Sequence, residues 1–255
     1  MAKQNSGLDA KILGENICKL AGIISDAGLC NDTGPLNHAG NYCIKNAQDS
    51  TWNYKFNFLE FNIANQPGCI PEQTDELKLR FSIDIQGIIP EEGSDTILNP
   101  LEKLTFDLEL LGQGFDEEKQ DLVDLHASWH LDKHIRGEKD GAPKYSHPEY
   151  HLAFGGAKME ANPHIYGASL ILPTPRLSYP PMDAVLGINF ILQNYFHKKD
   201  IAGVLTNPDY RAIISYSQRL LLQPYISSLM TFWTGEKIKF GKFVDPYSLF
   251  PLLIE

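Results

Sequence analysis

An α+β fold is predicted: an antiparallel meander of five or six strands, C-terminal helices packed on its apolar face, and one N-terminal helix. Three observations carry this expectation. Segments of strict apolar–polar alternation fill residues 51–173. An amphipathic segment precedes them, and helical rather than alternating periodicity follows. Strands grouped before helices argue a segregated α+β architecture over a doubly wound sheet. At 255 residues the chain has ample core for one domain. The expected division is an N-terminal helix and irregular segment (1–50), a sheet (51–173) and a helical cover (174–255).

Leu8 to Leu29 reads as the amphipathic helix. Ile12, Leu13, Ile17, Leu20, Ile24 and Ala27 recur at steps of three and four, with Lys11, Glu15 and Lys19 off that face. Asn31-Asp32-Thr33-Gly34-Pro35 is expected to end it, and Asn37 to Ser50 reads as polar and irregular.

Strands come next. Trp52, Tyr54, Phe56 and Phe58 alternate with polar residues, as do Leu77, Leu79, Phe81, Ile83 and Ile85. Leu104 to Leu110 and Val123 to Leu131 repeat the pattern. Tyr150, Leu152 and Phe154 give a fifth strand, and Tyr166 to Leu172 a sixth. Such alternation marks a sheet with one apolar and one polar face. Thr174 to Pro181 reads as a stiff connector. A helix from about Asp183 to Phe196 is apolar almost all round, so it is expected to be buried on more than one side. Asn207-Pro208 starts another helix, with Asn207 as cap and a kink near Pro224.

Composition narrows the function. The net charge is −10, so a global positive field for duplex nucleic acid or anionic lipid is absent. The longest uncharged stretch, Leu220 to Gly235, is shorter than a membrane span and contains Pro224. The start of the chain lacks an apolar signal core. A cytoplasmic location and no membrane partner are expected. Cys18, Cys30, Cys43 and Cys69 are expected to be reduced; a zinc site from Cys30, His38, Cys43 and Cys69 lacks the usual paired spacing. P-loop, G-x-G-x-x-G, G-x-S-x-G and H-E-x-x-H motifs are missing.

The chemistry concentrates between His126 and His151, where five of the eight histidines fall. His126, His130 and His134 are four apart, as are His147 and His151, so each set shares one strand face. If His134 pairs with His147, Asp132 faces Glu149 and His130 faces His151. A slip of four puts His126 opposite His151 and His130 opposite His147. Residues four apart on a strand are separated by about 13 Å, so one site cannot use all three of the first set. A metal site is expected from His130, Asp132, Glu149 and His151, holding one divalent transition metal such as Zn or Mn. The metal-free alternative is acid–base work by His126, His130, His147 and His151. Lys133, Arg136 and Lys144 are then expected to hold the anion, with the 135–146 loop closing over it. Gly155-Gly156 is expected to form a turn, a bulge, a hinge or a close approach to ligand. Arg176 among prolines reads as a capped loop or a further anion contact, and Asp84, Asp107 and Glu109 are candidates to complete an acidic–imidazole cleft.

These features point to a cytosolic hydrolase acting on a phosphodiester or nucleotide-type substrate, a small anion or single-stranded nucleic acid. The alternative is a non-enzymatic subunit that binds a protein partner. It rests on the acidic stretch 91–124 and the apolar helix near 183–196. A pH- or metal-responsive switch is a third reading.

Overall fold

The computed structural model describes residues 9–47, 51–64, 74–89, 99–116, 120–133, 146–160, 176–234 and 246–252. Its centre is a six-stranded antiparallel sheet in simple meander order: β1 (Thr51–Asn62), β2 (Thr74–Ile88), β3 (Leu101–Asp116), β4 (Asp121–Lys133), β5 (Tyr150–Phe154) and β6 (Leu177–Ser178). The helices are α1 (Ala10–Asp26), α2 (Gly34–Asn46), α3 (Ala157–Glu160), α4 (Ala184–Tyr195), α5 (Lys198–Thr206), α6 (Pro208–Ser217), α7 (Gln223–Thr234) and α8 (Pro246–Leu249). The α+β meander expected from the alternation is the fold.

One face of the sheet is apolar. Tyr54, Phe56, Leu59 and Phe61 of β1 line it, with Leu79, Phe81, Ile83 and Ile85 of β2, Leu104, Phe106 and Leu108 of β3, and Leu131 of β4. Helix α4 lies on this face. Gly187 sets the helix backbone against the rings of Phe81 and Phe106, and Ala184 N donates to Tyr54 Oη (2.9 Å). Ile188, Ile191 and Leu192 are fully buried, each contributing on the order of 1.5–3 kcal/mol. Burial removes α4 as a docking face for a partner. Asp183 caps α4 by accepting from Leu186 N (2.8 Å), and its other oxygen accepts from Ser217 Oγ (2.6 Å).

The N-terminal region holds two helices rather than one. Pro35 starts α2 instead of ending the preceding element, because a first-turn proline has no hydrogen bond to lose. Leu36, Ala39, Gly40 and Cys43 give α2 a buried face that the polar composition of 37–50 hides. The two helices approach through Gly14 and Gly40, whose Cα atoms face the partner backbone. Helix α5 is also additional to the sequence reading. Before Pro224 the chain forms a π-type turn, Gln218–Leu222, which re-registers the ladder ahead of a residue with no N–H.

Two strand expectations change. Phe58 points to the polar face and is exposed, because a bulge between Phe56 and Leu59 reverses the alternation. Phe58 takes φ +57°, and its N–H is held by Ser82 Oγ (3.1 Å). The sixth strand is Leu177–Ser178, inside the expected connector and beyond the expected end of the sheet at 173; Tyr166 to Leu172 lies outside the described residues. No described helix is long and apolar enough to cross a membrane.

Candidate metal centre on the polar sheet face

Register decides which side chains meet. In the β4–β5 ladder Asp132 pairs with His151 and His130 with Ala153. Neither expected register, with histidine directly opposite histidine, is adopted. The ladder is offset by two residues from the first of them, which keeps the same face but puts carboxylate opposite imidazole. One row across the sheet then reads Ser178, His151, Asp132, Thr105, Asp84 and Lys55.

The offset brings His130, Asp132 and His151 together. One donor atom from each lies within 4.8 Å of the others, and no other such group of three occurs among the described residues. The rings of His130 and His151 are perpendicular, with centroids 6.0 Å apart. A tetrahedral ion with bonds of about 2.0–2.1 Å needs donors about 3.4 Å apart. His130 Nε2 and Asp132 Oδ2 are at 3.9 Å, so modest side-chain rotation closes the set.

Three local features prepare these donors. His130 Nδ1 faces the carbonyl oxygen of Gly155 at 3.3 Å. A carbonyl only accepts, so Nδ1 carries the proton and Nε2 keeps its lone pair. Asp132 Oδ1 and His151 Nδ1 are buried without a hydrogen-bond partner. Burial, reinforced by His147, His130 and Arg176, lowers the His151 pKa to about 3 against a weak opposing contact with the Pro148 carbonyl. The ring is therefore neutral, as a metal ligand must be. Burial raises Asp132 to about 6, His130 opposing and nearby Asp107 adding to the rise.

The polar face is covered here rather than solvated. After β5 the chain turns at Gly155 and Gly156, with φ +95° and +88°, and folds back over β4. Ser128 Oγ donates to Gly155 O (2.8 Å), and a Cβ on Gly156 would sit 2.8 Å from His130 Nδ1. The glycine pair is thus a close approach to the histidine. Lys158 of α3 then reaches Glu109 (3.3 Å).

The remaining candidates are placed as follows. His147 packs edge-on against His151, ring centroids 4.6 Å apart. His126 sits away from the group, its Nε2 3.4 Å from Glu109 Oε2. Asp107 borders His130, and burial raises its pKa against the pull of Lys158 and His130. Glu149 does not join the ligand set. It lies just before β5, where its Oε1 is 3.6 Å from Lys133 Nζ and accepts from Asn99 Nδ2 (3.2 Å). Lys133 is the residue of opposite parity to Asp132, so it leaves the polar face and also donates to Leu101 O. Arg176 is close enough to His151 to bias its charge. His134, Arg136, Lys144 and Cys69 lie outside the described residues. Cys30 instead donates to the Glu60 carbonyl (3.2 Å), and Cys43 to Ala10 O (3.6 Å). Asp84 pairs with Lys103 at 2.6 Å.

Compared with known proteins, the chain matches no family model, no curated protein and no solved structure.

Proposed function

We propose that this protein is a metal-dependent hydrolase of an anionic phosphoester, with one divalent transition ion, Zn or Mn, held by His130, Asp132 and His151. The observation that carries this reading is the convergence of three donors whose buried atoms, Asp132 Oδ1 and His151 Nδ1, lack hydrogen-bond partners. An unsatisfied buried polar atom costs about 1–3 kcal/mol, and a cation held by His151 Nδ1 and by both oxygens of Asp132 would satisfy the two together. Two imidazoles and a carboxylate suit borderline metals, and three protein ligands keep a coordination position open. An ion bound there supplies a water acidified to near neutral pH.

The chain's own residues do the rest. Gly155 fixes the tautomer and tilt of His130. His147, in edge contact with His151, is the nearest further imidazole and moves the proton to the leaving group. Arg176 holds the substrate anion beside His151.

The test is metal analysis of the purified chain, followed by Zn²⁺ and Mn²⁺ titration of wild type, His130→Ala, Asp132→Ala and His151→Ala. About one ion per chain is expected in wild type and loss in each variant, with hydrolysis of bis(p-nitrophenyl) phosphate following metal content. Equal binding by all four proteins ends the site assignment. Tight binding without hydrolysis ends the enzymatic one.

A further inference from the structure

We propose that a cleft at the β1 edge of the sheet binds a nucleoside phosphate, and that it holds the nucleoside half of a phosphodiester substrate. The second clause rests on the metal-centre reading above, which places the scissile phosphate; the first does not. The cleft opens where α2 passes the edge strand β1. Helix α2 contributes His38 and Tyr42, and the polar face of the sheet contributes Asn53, Lys55, Asp84 and Lys103. Its volume is about 490 Å³, within the range of small-molecule sites.

Three side chains define the ligand. Lys55 is exposed and has neither hydrogen bond nor ion pair among the described residues, so its ammonium is open to an anionic oxygen. Lys103 is held by Asp84 at 2.6 Å, which leaves the Lys55 charge uncompensated in a chain whose net charge is −10. The Tyr42 ring is 51% exposed, while α2 turns Leu36, Ala39 and Cys43 to the core. That ring offers a stacking surface to a planar group. Asn53 adds an amide, both donor and acceptor, which suits the edge of a heterocycle. Ring, amide and cation together match a base carrying a phosphate; a bare inorganic anion would leave the first two unused.

The cleft and the metal centre share the row Lys55, Asp84, Thr105, Asp132 and His151. Thr105, between Asp84 and Asp132, is exposed, so the floor joining the two sites is open. Asp84 and Asp132 are two strand spacings apart, about 10 Å. An extended ligand, a nucleoside carrying a phosphodiester, reaches both.

Calorimetric titration of adenosine 5′-monophosphate into the full chain, stripped of metal with EDTA, tests the cleft apart from any hydrolysis. Saturable binding at one site is expected. Tyr42→Ala should weaken it about 5–100-fold, the usual range for losing one stacked base. Lys55→Gln should weaken it about 10-fold or more, as loss of a charged hydrogen bond does. Both side chains are exposed, so thermal melting should not change. Lys19→Gln on α1 and His151→Ala should bind as wild type does. Wild-type protein that binds nothing overturns the proposal. So does binding that survives both cleft variants, binding lost in His151→Ala, or displacement by an equal concentration of inorganic phosphate. A chain that takes up no metal but binds the nucleotide through Tyr42 and Lys55 supports the cleft and ends only the metal-centre reading.

Discussion

The carbonyl oxygen of Gly155 lies 3.3 Å from Nδ1 of His130, and Gly156 rests against the same imidazole. One turn therefore fixes both the tautomer and the tilt of a metal-ligand candidate. Gly156→Ala tests this control. The added Cβ would meet Nδ1 at 2.8 Å and Cε1 at 3.0 Å, at a φ of +88° that alanine rarely adopts. Zn²⁺ affinity by calorimetry should fall about 10–100-fold, the usual effect of disturbing a ligand's support. The melt should show about 1–2 kcal/mol of destabilisation from the strained backbone. An unchanged Kd would mean that the turn does not position His130.

Glu149 separates structural from metal-binding carboxylates. It faces the buried amine of Lys133, whose pKa burial pulls down and Glu149 holds up. Glu149→Ala leaves that amine without its carboxylate and should destabilise the fold by about 2–4 kcal/mol in urea unfolding. Metal stoichiometry should stay at the wild-type value, because Glu149 is no part of the His130–Asp132–His151 group. Loss of metal in the folded variant would return Glu149 to the ligand set.

The contrast between Glu149 and Asp132 marks where the sequence stopped being informative. Alternation placed His130, Asp132 and His151 on one face, because that follows from a period of two. Alternation carries no information on register, and a two-residue offset exchanged Glu149 for a direct Asp132–His151 pair. Phe58 continues the even-numbered run of Trp52, Tyr54 and Phe56, but a bulge shifts parity by one residue, and the odd-numbered Leu59, Phe61 and Ile63 that follow are the mark of that shift. Helix α2 was hidden because its buried face is built from small residues such as Ala39 and Gly40. The Gly155-Gly156 pair was visible as a possible close approach, but the ring it approaches was not.

Asp183 should give stability a measurable pH dependence. It is fully buried, and desolvation raises its pKa to about 6 despite the hydrogen bonds from Leu186 and Ser217. A raised acid prefers its proton more strongly in the folded state. Its contribution is complete below about pH 4, declines as pH rises, and is lost above pH 6, by about 3 kcal/mol. His151, held neutral with a lowered pKa, acts in the opposite sense over the same window. The comparison of wild type with Asp183→Asn isolates the carboxyl. The variant keeps an oxygen for Leu186 N, and its unfolding free energy between pH 4 and 6.5 should lose the downward component. Parallel curves for the two proteins would contradict a buried, proton-retaining Asp183.

A glycine pair on neighbouring helices separates tertiary packing from helix propensity. Gly→Ala inside a helix ordinarily stabilises by about 1 kcal/mol. At Gly203 of α5 nothing lies within 4 Å of the added methyl, so Gly203→Ala should raise stability by about 0.5–1 kcal/mol. At Gly187 of α4 the methyl would meet Phe106 Cε2 at 2.5 Å and Phe81 Cζ at 2.9 Å. Those two rings are themselves packed with centroids 4.7 Å apart at the centre of the apolar face, so neither has room to retreat. Overpacking then exceeds propensity, and Gly187→Ala should lower stability by about 1–3 kcal/mol. Urea unfolding of both variants reads the two signs directly. A stabilised Gly187→Ala protein would show that α4 does not seat its backbone on the sheet as described.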